Sequence, residues 1–211
     1  MSLKKTATPH LIPGTDILKN KPGFTNQARL DQFERMAASS RMTTIPEGDF
    51  SSEHLKKIHK HLFSDVYEWA GQFRDVPIEK GTTVFCRPEF VDQEANKLTK
   101  AVDMSKLKNL NHKAFVGELS HIVGELNVVH PFLEGNGRTL RAYAEKICKT
   151  AGYNLDITKL QGEEWNNAFI RAYSQDNKGI EAILQKRVTP TAVKRLQLNR
   201  GQNENTRGPI R

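Results

Sequence analysis

One stretch of the sequence, from His130 to Arg141, combines the residue types that phosphate chemistry requires; it reads HPFLEGNGRTLR. Gly135 and Gly137 allow the backbone to approach a ligand closely, and they stand where a helix is predicted to begin. A helix N-terminus binds anions through its free N–H groups and its dipole. Arg138 and Arg141 are three residues apart and therefore project from one face of that helix. The segment predicts a site for a phosphorylated ligand.

Two further residues of this segment could take part in a reaction on such a ligand. His130, which ends the preceding predicted helix, can accept a proton near neutral pH. Glu134 is a carboxylate beside the phosphate site and is suited to hold a divalent cation such as Mg²⁺. Together with the two arginines, they indicate attack of a hydroxyl on a phosphate, with pyrophosphate leaving or a phosphoryl group transferred. Taken singly, His130 could simply cap a helix end, and Glu134 could favour the next helix through its dipole.

The elements predicted around this segment are mostly helices. Phe115, Leu119, Ile122 and Leu126 recur at helical spacing and predict a helix over about 112–129. β-prone pieces on both sides of a Glu-Lys-Gly-Thr turn predict a small hairpin within residues 73–87. Similar patterns predict helices at about 25–40, 51–70, 89–104, 138–151, 157–174 and 179–187. The predicted fold class is therefore all-α, a helical bundle with one small β-hairpin.

The positive charge of the chain is concentrated near its end. The 211 residues include 32 Lys+Arg and 24 Asp+Glu, a formal net charge of +8. Residues 186–211 hold seven of the basic residues and one of the acidic ones, so the rest is almost neutral. This distribution argues against nucleic acid as a partner of the domain. We predict an extended lead-in over 1–24, a catalytic domain over 25–188, and a basic linker or disordered tail over 189–211.

Several classes of protein are excluded by simple features of the sequence. No apolar run approaches the ~20 residues that a membrane helix needs, and the N-terminus has no apolar core of a secretory signal. We therefore expect no membrane association and a cytoplasmic location. Cys86 and Cys148 are far apart, so a disulfide framework is not expected. Neither the His-Glu-x-x-His pattern of zinc enzymes nor the Gly-Lys-Ser/Thr of a P-loop occurs.

The segment from His130 to Arg141 resembles the signature of Fic-domain proteins, His-Pro-Phe-x-Glu-Gly-Asn-Gly-Arg-x-x-Arg, at every defined position. Residues 15–21, 54–59 and 65–71 also resemble corresponding Fic segments. The resemblance implies a Fic-fold helical bundle with a β-hairpin flap. It also implies a protein adenylyltransferase, which transfers AMP from Mg–ATP to a Tyr, Thr or Ser hydroxyl of a target protein and releases pyrophosphate.

The resemblance assigns a role to each residue of the signature. His130 would be the catalytic base, and Glu134 would hold Mg²⁺. Phe132 would anchor the loop in the core. The phosphates of ATP would be bound by Gly135, Asn136, Gly137, Arg138 and Arg141. In the hairpin, the flap residues Thr82, Thr83, Val84 and Phe85 would align a segment of the target as an added strand.

Alternative activities remain within and outside this family. The Gly-Asn-Gly nest favours nucleotidyl transfer over phosphotransfer, but the base of the donor could be uracil instead of adenine. A different class of function is a nucleic-acid-binding module that uses the basic tail and has a degenerate nucleotide pocket. The intact His130 and the two arginines argue against degeneracy.

Regulation in this family often depends on a glutamate in a Ser/Thr-x-x-x-Glu-Gly/Asn motif, and Thr43–Gly48 matches it. Pro46 directly before Glu47 disfavours the helix on which an inhibitory glutamate should sit. We therefore expect inhibition by a separate small antitoxin protein instead of by Glu47. The N-terminal helix pattern and the basic tail are similar to those of effector-type Fic proteins, which makes delivery into a host cell the alternative to action in the bacterial cytoplasm.

Overall fold

The computed structural model describes residues 9–80, 83–174 and 176–206, and most of these residues are helical. The all-α prediction is therefore confirmed. The helices are α1 Gln27–Arg41, α2 Ser52–Phe63, α3 Pro88–Lys100, α4 Met104–Leu107, α5 His112–Val129, α6 Asn136–Thr150, α7 Glu163–Ala172, α8 Lys178–Arg187 and α9 Ala192–Thr206. Single 3₁₀ turns occur at Met42–Thr44 and Ile157–Lys159. Within the described residues, no helix combines the length and the apolar character that crossing a bilayer requires.

The helix starts follow capping rules. The Asn26 side chain accepts a hydrogen bond from the Arg29 N–H at 3.1 Å and caps the start of α1. Ser51 caps α2 in the same way, and Pro88 occupies the first turn of α3, where its missing N–H has no cost. The helix α2 ends at Phe63 rather than near residue 70, because the chain turns at Ser64 and continues through a series of turns.

The chain divides into two compact units. The first contains the described residues up to Val102 together with Ile122–Tyr143, and the second contains Asp103–His121 together with the described residues from Ala144 onward. In the first unit α1 packs on α2, and α2 on α3. In the second, α7 packs on α8. The whole segment from His130 to Arg141 lies in the first unit.

Two short antiparallel sheets complete the fold. The predicted hairpin consists of β1 Glu79–Lys80 and β2 Thr83–Val84, with Glu79 opposite Val84. A second pair, β3 Tyr153–Leu155 and β4 Val188–Pro190, was not predicted.

The predicted tail differs from the structure. Residues 189–211 were expected to be a linker or disordered, but the described part belongs to β4 and to helix α9. Backbone pairing with β3 fixes β4, and the Lys194 side chain of α9 is buried and donates to the Lys108 carbonyl. Since ladder hydrogen bonds come from the backbone, a basic polar composition does not prevent them.

Candidate active site

His130 stands at the junction between α5 and the loop that leads to α6. Its N–H closes the last turn of α5 on the Leu126 carbonyl, and its φ of +50° then turns the chain sharply. The ring Nδ1 donates to the Asn127 carbonyl at 3.1 Å, so the neutral ring carries its proton there and Nε2 is the basic nitrogen. The Phe85 ring of the hairpin stacks on the imidazole at 3.9 Å between centroids.

The loop between the two helices is closed by side-chain hydrogen bonds and by packing. The Asn136 amide accepts from the Phe132 N–H at 2.9 Å and donates to the Phe132 carbonyl at 2.7 Å. Phe132 is 1% exposed, which agrees with its predicted anchoring place in the core. Because the Asn136 side chain is used inside the loop, only its backbone N–H remains for a ligand at the start of α6.

His59 of α2 packs against this loop and bonds to it, and sequence reasoning gave it no role of its own. Its Nδ1 accepts from the Gly71 N–H at 2.8 Å, and its Nε2 donates to the Glu134 carbonyl at 3.0 Å. The ring stacks on Phe132 with 3.9 Å between centroids. Burial lowers the pKa of His59 to about 3, so this neutral, doubly bonded ring persists at physiological pH.

Glu134 projects from the loop at half-buried depth. Its Oε1 accepts from the Gly135 N–H at 3.0 Å and lies 3.7 Å from Nη2 of Arg138. One carboxylate beside an anion site fits Mg²⁺, which is commonly held by one or two carboxylates together with substrate phosphates. No group of three His, Cys, Asp or Glu side chains in the part of the chain described here forms a self-sufficient metal site.

Arg138 is held by a buried carboxylate from α1. Its Nη2 donates to Oε1 of Glu34, and the guanidinium carbon lies 4.8 Å from the centroid of Phe63. The other oxygen of Glu34 accepts from the buried Tyr67 hydroxyl. Burial raises the pKa of Glu34, while the charge of Arg138 acts in the opposite direction.

Glu34 could not be identified from the sequence, because the apolar residues Leu30, Phe33 and Met36 or Ala37 predict a different buried face for α1. In the structure Leu30, Glu34 and Ala38 are buried, and Met36 is 65% exposed. The sequence does not show that a charged residue such as Glu34 will be buried beside a partner from another helix.

Arg141 differs sharply from Arg138. Its guanidinium is largely buried, and among the described residues it has neither a hydrogen bond nor a carboxylate partner. Burial, followed by repulsion from Arg138, lowers its pKa to about 10. An ideal Cβ on Gly137 would lie 3.6 Å from Nη1 of Arg141, so the guanidinium lies over the first turn of α6. A desolvated cation without a partner, beside the N–H groups of a helix N-terminus, is a site for an anion.

The remaining predicted residues lie in the hairpin and in the loop before α2. Val84 of β2 is 58% exposed, and Phe85 behind it is buried against His130. Thr82 lies outside the described residues. Glu47 is exposed in a non-helical loop, which agrees with the expectation that no helix forms behind Pro46.

Comparison with known proteins is consistent with this geometry. Residues 49–148 match the Fic/DOC family. A Sinorhizobium fredii protein named a probable protein adenylyltransferase, y4lH, is 37% identical over 85% of this chain and 95% of its own length. The protein adenylyltransferase VbhT of Bartonella schoenbuchensis is 35% identical over 93% of this chain, which spans 42% of VbhT.

The fold also agrees with a solved structure. The N-terminal Fic domain of a VirB-translocated Bep effector protein from Bartonella quintana, crystallised with bound ADP, superposes with a TM-score of 0.82. The match has 26% identity and covers 89% of this chain and 97% of that one. The helical bundle with its hairpin is thus a Fic fold, and the sequence relatives lead to the same family. This chain belongs to the Fic/DOC family.

Proposed function

We propose that the protein is an adenylyltransferase that transfers AMP from ATP to a hydroxyl group of a target protein and releases pyrophosphate. The observation that carries this proposal is the largely buried Arg141 guanidinium, which has no partner in the described structure and lies over the first turn of α6. It supports the binding of a polyphosphate next to His130. The relatives named as protein adenylyltransferases and the related domain with bound ADP support the same activity and an adenine nucleotide.

In this reaction His130 takes the proton of the target hydroxyl on Nε2, and the oxygen then attacks the α-phosphorus. The hydrogen bond from Nδ1 to the Asn127 carbonyl fixes the tautomer that this step needs and stabilises the imidazolium that results. The backbone N–H groups of Asn136 and Gly137, at the N-terminus of α6, would face the developing charge on the phosphates, whereas that of Gly135 donates to Glu134. Bond breakage at the α-phosphorus releases pyrophosphate.

The two arginines divide the remaining charge between them. Arg141 binds the terminal phosphates, because its charge is not compensated in the described protein. Arg138 reaches the same region but remains tied to Glu34 and close to Glu134. Glu134 would hold Mg²⁺, which supplies neutralisation of phosphate charge when it is bound.

The partners follow from the hairpin and from the family. A target segment would add as a strand along β2, with its hydroxyl presented to His130 across Phe85. We propose that activity is restrained by a separate small antitoxin protein, since Glu47 lies in an exposed loop outside any helix.

The site of action would be the bacterial cytoplasm or, as for the translocated Bep effector, a host cell. The catalytic domain would span 25–188, followed by a helical basic extension.

The experiment that tests the activity uses ATP labelled at either end. The protein is incubated with Mg²⁺, a protein extract, and either α-labelled or γ-labelled ATP, with α-labelled UTP in parallel. Label in protein from α-labelled ATP alone, lost in His130→Ala, supports adenylyl transfer. Label from γ-labelled ATP would indicate a kinase, and label from UTP a uridylyltransferase. No label, combined with tight salt-sensitive binding of nucleic acid, would refute the enzyme.

A further inference from the structure

One buried arginine outside the signature makes an unusual set of contacts. Arg74 follows α2 and its turns, and it is only 4% exposed. It has no carboxylate partner within the described residues, and burial lowers its pKa to about 10. Its guanidinium donates only to backbone carbonyls. A guanidinium has five N–H donors in a rigid planar fork, so it can hold several acceptors at fixed distances from one another.

The first group of acceptors lies at the catalytic end of α5. Nε of Arg74 donates to the His130 carbonyl at 2.8 Å, and Nη2 donates to the Val129 carbonyl at 3.1 Å. The backbone N–H of Arg74 also donates to the Pro131 carbonyl at 2.9 Å. The last carbonyls of a helix have no partner inside it, and a cation there also complements the helix dipole. Three consecutive residues around the proposed base are therefore fixed from Arg74.

The second group of acceptors lies in the two arms of the hairpin. Nη1 donates to the Val76 carbonyl at 2.9 Å, on the arm that leads into β1. Nη2 donates to the Cys86 carbonyl, on the arm that leaves β2. Cys86 follows Phe85, whose ring stacks on the His130 imidazole. One side chain thus connects the base of the hairpin with the backbone of His130.

The apolar contacts beside Arg74 do not fix the distance between the hairpin and His130 equally well. Val91, Ala95 and Val129 form a small buried cluster, with Phe73 and Cys86 packed against it. Apolar contacts are not directional, and they tolerate sliding that a planar hydrogen-bonding fork does not. The relative position of the hairpin and His130 therefore depends on the directional bonds of Arg74.

We propose that Arg74 is a positioning residue that sets the hairpin, and with it a target hydroxyl, at reacting distance from His130. This role rests on the proposed function, because the hairpin has a target to present only in a transferase. Arg74 touches neither nucleotide phosphates nor the reacting atoms. Its loss is expected to impair transfer and to leave nucleotide binding nearly unchanged. A displacement of the order of 1 Å between reacting groups can cost about 100-fold in rate.

Two variants and one control test the proposal. Arg74→Lys retains the positive charge but cannot span four carbonyls, and Arg74→Gln removes the charge as well. Arg41→Gln is the matched control, because Arg41 bonds the His61 carbonyl, the Ser64 hydroxyl and Asp65, none of which belongs to the hairpin. It reports the effect of losing a half-buried arginine network without disturbing His130.

Each protein is measured in three ways: by calorimetric titration with a non-hydrolysable ATP analogue, by label transfer from α-labelled ATP, and by hydrogen exchange of the backbone amides. The Arg74 variants are expected to bind the analogue within about threefold of wild type and to lose about 100-fold in transfer. Amides of residues 76–80, 83–86 and 129–132 should exchange faster in these variants and not in Arg41→Gln.

Transfer by Arg74→Lys at the wild-type rate would overturn the proposal, as would an equal loss of transfer and nucleotide binding. If the wild-type protein transfers no label, the proposed function fails on its own account. The exchange measurement then still decides about Arg74: faster exchange in both segments supports its positioning role, and unchanged exchange overturns it.

Discussion

Gly135 has the most restrictive environment of the glycines in the candidate site, and this allows a quantitative prediction. Its φ is +81°, and a Cβ added there would lie 2.5 Å from two ring carbons of Phe63, which is fully buried. The left-handed conformation costs an alanine about 1–2 kcal/mol, and forcing a methyl group into a packed core costs about 1–3 kcal/mol more. Gly135→Ala should therefore destabilise the protein by about 2–5 kcal/mol, which corresponds to roughly 4–20 °C in Tm for a chain of this size.

Gly137, two residues further along, provides the matched control. Its φ is not left-handed, and the nearest atom to an added Cβ is Nη1 of Arg141 at 3.6 Å, an ordinary contact. Alanine also has a helix propensity about 1 kcal/mol better than that of glycine. Gly137→Ala should therefore keep or raise the Tm, while its methyl group weakens nucleotide binding beside Arg141.

The assay combines thermal unfolding, followed by circular dichroism, with calorimetric titration of a non-hydrolysable ATP analogue. The steric reasoning would be refuted by a Gly135→Ala variant that unfolds at the wild-type temperature. It would be refuted equally by a Gly137→Ala variant destabilised to the same extent as Gly135→Ala, since only Gly135 faces the Phe63 ring.

Three other variants test the charges of the site. Glu34→Ala should lower the free energy of unfolding by about 3–5 kcal/mol, measured with urea at pH 7, because it leaves Arg138 without its buried carboxylate. Glu34→Gln should lower it less, since burial already disfavours the charged form of Glu34. His59 is neutral in the folded protein down to about pH 3, whereas in the unfolded chain it takes up a proton near pH 6.5. Its contribution to the free energy of unfolding should therefore fall by about 1.4 kcal/mol per pH unit below pH 6.5. Urea unfolding at pH 7, 6 and 5 measures this dependence, which should be absent in His59→Gln. Arg141→Gln should weaken binding of the ATP analogue and leave the Tm unchanged or higher, because it removes a desolvated cation repelled by Arg138; a lower Tm with unchanged affinity would contradict this.

The position and the turn of the loop between α5 and α6 could be predicted from the sequence, because the residues that shape the turn are local to it. The helix α5 has the predicted bounds, and α6 begins two residues before the predicted start. Gly135 and Asn136 shape the turn through their own conformations and short-range bonds, which a twelve-residue motif contains in full. The roles predicted for its side chains in binding and catalysis stay predictions that the variants above test.

The supporting residues could not be predicted, because their partners are distant in the chain. Glu34 is 104 residues from Arg138, His59 is 75 from Glu134, and Arg74 is 56 from His130. Such pairs form only when helices from different parts of the chain pack together. A polar residue on a helix face that also carries apolar residues is the one signal available, and it does not name the partner.

The two arginines of the signature illustrate why the position of a charge says more about the ligand we propose than the net charge of the chain does. Arg138 and Arg141 have the same side chain, and their spacing predicts equivalent places on one helix face. The fold neutralises one of them with Glu34 and leaves the other desolvated without a carboxylate in the described structure. A buried paired arginine fixes geometry, whereas a buried unpaired one gains free energy only when an anion arrives. We therefore predict a division of work between Arg138, held in place by the one carboxylate of α1 that reaches it, and Arg141, which we propose binds the anion.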